Sequence, residues 1–66
     1  MDEHAKRTVI QLCTKIGMIM EDASAPAIMC GGLDDTKLKS VVDDLVACIE
    51  EMRTLAAAAA VLVKRC

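Results

Sequence analysis

Residues 34 to 66, DDTKLKSVVDDLVACIEEMRTLAAAAAVLVKRC, contain neither proline nor glycine. A stretch that long without a breaker predicts one uninterrupted helix, about 50 Å from end to end at about 1.5 Å per residue. Its apolar side chains fall at Leu38, Val42, Leu45, Ile49, Met52, Ala56, Ala59, Val63 and Cys66. Steps of four and three alternate throughout, as they do on a helix packed lengthwise against other helices. A second row, Val41, Cys48, Leu55 and Leu62, runs beside it every seven residues. Together the rows make an apolar stripe of about three residues in seven. That is wider than a two-stranded coiled coil needs and suits a bundle.

Both ends of this helix carry signals. Asp34 is placed as an N-cap, because its carboxylate can accept from the free N–H groups of the first turn. Asp35 adds negative charge at the positive pole, and Lys64 and Arg65 complement the negative one. Leu33 and Leu38 hold the positions of a hydrophobic staple.

The chain before residue 34 repeats the pattern. From residue 2 to about 23, Ala5, Val9, Leu12, Ile16, Ile19 and Ala23 again step by four and three. Ile10, Cys13 and Met20 widen that seam. Gly17 costs about 1 kcal/mol relative to alanine in a helix interior, and it is read as a place where another helix comes close. Pro26 leaves two readings of SAPAIMC. The first helix continues to residue 30 with a kink, or it breaks and Ser24 caps a short new helix. The seam stays in register to Pro26 and Cys30, which favours a kinked or briefly interrupted helix. Gly31 is then expected as the left-handed residue after the helix end. A link as short as Gly31–Gly32–Leu33 makes the two helices antiparallel neighbours.

The expected fold is therefore all-α: one helical-hairpin domain over residues 1–66, its first helix kinked or broken near Pro26, its second running 34–65. Each helix keeps a flanking apolar row, and two hairpins packed together would cover those rows as a four-helix bundle. Self-association is also expected from size. The chain has 66 residues and no Phe, Trp or Tyr from which to build a large core, and chains this small are marginal alone. Residues expected at the dimer or partner interface are Val41, Leu45, Cys48, Met52, Leu55 and Leu62, with Ile28 and Met29 beside the Pro26 break.

Charge narrows the function. The formal net charge is −2, with acids and bases mixed. No basic stripe and no aromatic for base stacking are present, so nucleic-acid binding is not expected. The longest apolar run, Leu55 to Val63, is far short of the roughly 20 residues a spanning helix needs, and no membrane role is expected. The N-terminal MDEH is acidic, unlike the start of a signal peptide, so the expected location is cytoplasmic. In the hairpin, Glu21 and Asp22 reach the level of Asp43 and Asp44. Acids gather on the turn half, while Lys6, Arg7, Lys64 and Arg65 gather at the open end. Two hairpins stacked with their turns at opposite ends would bring opposite charges together.

Nothing in the sequence is arranged for catalysis. Cys13, Cys30, Cys48 and Cys66 are spaced 17, 18 and 18 apart, without the C-x-x-C of a zinc or redox motif. They are read as small buried hydrophobes with reduced thiols. A Cys13–Cys48 disulfide is conceivable by height in the hairpin, though not in a reducing compartment. His4 is the only histidine and lacks the E-x-x-H pattern of a di-metal bundle. Met18, Met20, Met29 and Met52 are read as core fillers. No catalytic residue, metal ligand or cofactor site is assigned. The expectation is a small non-enzymatic interaction module that binds itself and possibly another protein. The alternative is an obligate small subunit, or a chaperone- or inhibitor-like partner, of a larger protein.

Overall fold

A computed structural model describes residues 1–65. The last seam position, Cys66, lies outside the described residues. The chain forms helix α1, Glu3–Ile28, a single 3-10 turn, Cys30–Gly32, and helix α2, Asp35–Lys64. The two helices run back along each other as a hairpin measuring 50 × 15 × 11 Å. The described residues contain no strand.

Both helices begin where the sequence signals them. The Asp34 carboxylate accepts from the Lys37 backbone N–H at 2.9 Å, and Leu38 donates its N–H to the Asp34 carbonyl. Asp2 does the same for α1, its Oδ1 accepting from the Ala5 N–H at 2.7 Å. Each cap satisfies a donor that the first turn leaves unpaired. Inside the helices the hydroxyls of Thr8, Thr14 and Thr54 donate to the carbonyls four residues back, so these polar groups need no outside partner.

Helix α1 passes through Pro26 without a break and ends at Ile28. Proline there removes one donor, the N–H that would reach the Asp22 carbonyl. The position is in the last helical turn, so little helix remains to be lost. Ser24 does not cap a new helix. Its hydroxyl turns back and donates to the Glu21 carbonyl at 2.9 Å.

The exit from α1 differs from the expectation at Gly31. No described residue has a positive φ, glycine or otherwise. The Met29 N–H closes onto the Ala25 carbonyl, and the Leu33 N–H onto the Cys30 carbonyl at 3.1 Å. A right-handed 3-10 turn thus satisfies the helix end, a common solution that needs no left-handed residue.

The α1 seam packs as its spacing predicts. Ala5, Val9, Leu12, Ile16 and Ala23 are half-buried, and Ile19 is the one buried side chain among the described residues. On α2 the covered row is Val41, Leu45, Cys48, Met52, Leu55, Ala59 and Leu62. It is turned from the predicted principal seam: Leu45, Met52 and Ala59 remain, but Val42, Ile49, Ala56 and Val63 face out. Gly17 does not mediate a close approach of α2, since no atom lies within 4 Å of where a Cβ would stand.

Two measurements test this packing. Ile19→Ala is expected to lower unfolding free energy by about 2–3 kcal/mol, the lower range for burying and then deleting an aliphatic group. Pro26→Ala is expected to raise it by about 1–3 kcal/mol, because alanine restores the missing donor in a continuous helix. Urea titrations followed by circular dichroism read both. A neutral Pro26→Ala would indicate that a separate helix starts there.

Candidate functional site

Two helices side by side can cover only the stripe each turns to the other. The hairpin accordingly exposes 5145 Å², against roughly 4,100 Å² for a compact protein of its mass. Part of the exposed surface is apolar and gathers on one side. At about 100° per residue, Ile10, Cys13, Gly17 and Met20 stand about a quarter-turn from the α1 seam. Val42, Val46, Ile49, Ala56, Ala60 and Val63 stand about a quarter-turn from the α2 seam. Because the helices are antiparallel, both quarter-turns point to the same broad side of the hairpin. All of these side chains, Gly17 apart, are exposed. Ile10, Met20, Val46 and Ile49 each leave more than half of their surface in solvent, at 54%, 56%, 55% and 55%.

Two charges fall in these rows, Lys6 before Ile10 near the open end and Arg53 on α2. Arg53 follows Ile49 in the row, and its Nη2 lies 3.1 Å from Glu50 Oε2. The pair draws the guanidinium toward the edge of the apolar face. Both side chains are well exposed, and such pairs contribute only about 0.2–1 kcal/mol.

The opposite broad side is different in character. It carries Gln11, Lys15, Asp22, Ser40, Asp44, Glu51 and Thr54, all exposed. Near the turn it opens into a groove of about 370 Å³ lined by Asp22, Ala23, Pro26, Val41, Asp44, Leu45, Ala47 and Cys48. The groove exists because Ala23, Pro26 and Ala47 are too small to fill the space between the helices. Its presence puts Asp22 and Asp44 on one depression, as the hairpin register requires. Among the described residues no group of three or more His, Cys, Asp or Glu side chains is placed to hold a metal ion.

The residues expected at an interface divide into two sets. Val41, Leu45, Cys48, Met52, Leu55 and Leu62 come together as the half-buried row against α1, so their nearest apolar neighbours belong to the same chain. Ile28 and Met29 are not brought to them. They stand at the turn, 80% and 75% exposed. The reading missed the row Val42, Val46, Ile49 and Val63 as the outward one. Its signal was present in the sequence: Arg53 falls in that row, whereas no charge falls in the row through Val41 and Cys48.

Cys13, Cys30 and Cys48 are free thiols. Cys13 lies on the uncovered apolar side, and the other two are half-buried. No helix among the described residues is long and apolar enough to cross a membrane. Compared with protein-family models, with curated proteins and with solved structures, the chain matches none.

In dilute solution, where the hairpin stands alone, iodoacetamide is expected to modify Cys13 several-fold faster than Cys48. Peptide mapping by mass spectrometry at timed quench points measures it. Equal rates would mean that the α1–α2 seam opens as readily as the outer face is reached.

Proposed function

We propose that this protein is a non-enzymatic helical interaction module that works by associating with itself, in the form of a homodimeric four-helix bundle. The observation that carries the reading is the apolar side of the hairpin, from Ile10 and Met20 on α1 to Val46 and Ile49 on α2. Apolar area of that extent on a chain this small favours association, since covering it removes hydrocarbon from water at about 25 cal/mol per Å². The surface excess of roughly 1,000 Å² over a compact protein is comparable to the roughly 800 Å² each partner contributes to a standard interface. The non-enzymatic part rests on the sequence, which arranges no nucleophile with a base and no ligand set. Cytoplasmic location is part of the same proposal and is supported by the free thiols of Cys13, Cys30 and Cys48.

The test is sedimentation equilibrium over nanomolar to micromolar concentrations with reductant, alongside far-UV circular dichroism. The expected result is a helical dimer that dissociates on dilution. Ile49→Gln is expected to weaken association at least about tenfold, equivalent to roughly 1.4 kcal/mol. Met18→Gln, an equally exposed position off the apolar side, is expected to leave association unchanged. A helical monomer at every concentration, or equal effects of the two substitutions, would refute the reading. A weakly helical monomer would instead favour an obligate small subunit whose apolar side is covered by a larger protein.

A further inference from the structure

We infer that the occupant of the apolar side is a second copy of this chain, laid with its turn against the open end of the first. The inference rests on the self-association reading and adds the direction in which the two copies lie. Three observations on that face and its rims point to it.

The first is the length and shape of the patch. Exposed apolar groups run from Val42, near the turn, to Val63, near the open end. At about 1.5 Å per residue that is about 32 Å of a 50 Å long axis, so the complementary surface must be a straight apolar ridge of similar length. The hairpin presents such a ridge itself.

The second is charge. Leaving out the charges of the opposite broad side, Glu21, Asp34, Asp35 and Asp43 beside the turn outnumber Lys37 and Lys39. Toward the open end, Lys6, Arg7, Arg53, Lys64 and Arg65 outnumber Asp2, Glu3 and Glu50. Copies with their turns together would stack acidic half on acidic half. Copies with their turns apart would bring Lys64 and Arg65 toward Asp34 and Asp35 of the partner subunit, and Lys6 and Arg7 toward its Glu21. Charges attract across a Debye length of about 8 Å at physiological salt, so pairs of opposite sign at each end favour this direction of stacking.

The third is the relief of the face. A two-fold axis crossing the hairpin at mid-length sets α1 against α1 and α2 against α2, each pair antiparallel. With full overlap Ile49 then meets its own copy, Val42 falls near Ala56 of the partner subunit, and Ile10 near its Met20. Away from the central Ile49 pair, large groups meet small or flexible ones. Gly17 lies close to the axis with nothing within 4 Å of a Cβ position, so the backbones of the two α1 helices have room to approach there.

The experiment separates direction from association. Cys13, Cys30, Cys48 and Cys66 are replaced by alanine, Gly32→Cys is introduced in the turn, and a nitroxide is attached. Circular dichroism checks that the helix is kept, and Gly32 has open space around it. Sedimentation reports the stoichiometry, and double electron–electron resonance reports the distance between the two labels. Turns at opposite ends place the labels more than about 40 Å apart, in keeping with a helix rise of about 1.5 Å per residue and a long axis of 50 Å. Turns at one end place them within about 20 Å, set by helix spacings of about 10 Å and the label arms. A dimer with the long distance is the expected result. A dimer with the short distance overturns the inference and leaves self-association standing. A monomer, or any other stoichiometry, overturns both.

Discussion

A helix can be covered by one neighbouring helix over only one stripe, and each helix of this chain carries more apolar surface than one stripe holds. Everything else in the structure follows from that mismatch. With two helices and no aromatic side chain, only Ile19 among the described residues is buried, and it keeps 8% of its surface exposed. The rest of the seam stays half-exposed, because no third layer closes over it. The caps at Asp2 and Asp34 and the back-bonded threonines settle the local backbone. They do nothing for the uncovered side.

The sequence disclosed the parts of the fold that depend on local rules. Asp34 begins α2 because an aspartate before an apolar-periodic run caps whatever follows. The α1 seam was legible because Ala5, Val9, Leu12, Ile16, Ile19 and Ala23 have charged or polar residues on one flank only. The α2 seam was legible only to within a quarter-turn. Leu45, Met52 and Ala59 belong to two rows at once, and steps of four and three fit either of them. What selects between the rows is tertiary. The bulkier Leu55 and Leu62 turn inward, while Ala56 and Val63 turn out, which fills the seam more completely. Alternation of step lengths carries no information about side-chain volume, so spacing alone did not decide it.

The same limit governs the candidate site. An exposed face on a helical hairpin is the remainder after the seam is assigned. Moving the seam by a quarter-turn moves the face from Val41 and Cys48 to Val42 and Ile49. The charges were less sensitive. Acidic and basic halves are defined by height along the hairpin, and height depends only on where the chain turns. Gly31 and Gly32 marked that turn correctly, even though neither adopts the left-handed backbone that usually makes glycine useful there.

That right-handed turn has a topological consequence. At Leu33 and Asp34 the φ angles, −89° and −73°, lie near helical values, and the chain departs from a helix mainly in ψ, at 151° and 171°. The reversal of direction is thus held largely by two ψ rotations and by the Asp34 carboxylate that locks the second of them onto Lys37. A hairpin secured at so few torsions stands close to an open rod, in which α1 of one molecule would lie along α2 of another. The residues that meet across the seam would be the same in either case, exchanged between chains. In this protein the cap on α2 therefore guards connectivity as well as stability: it keeps each seam the property of a single chain.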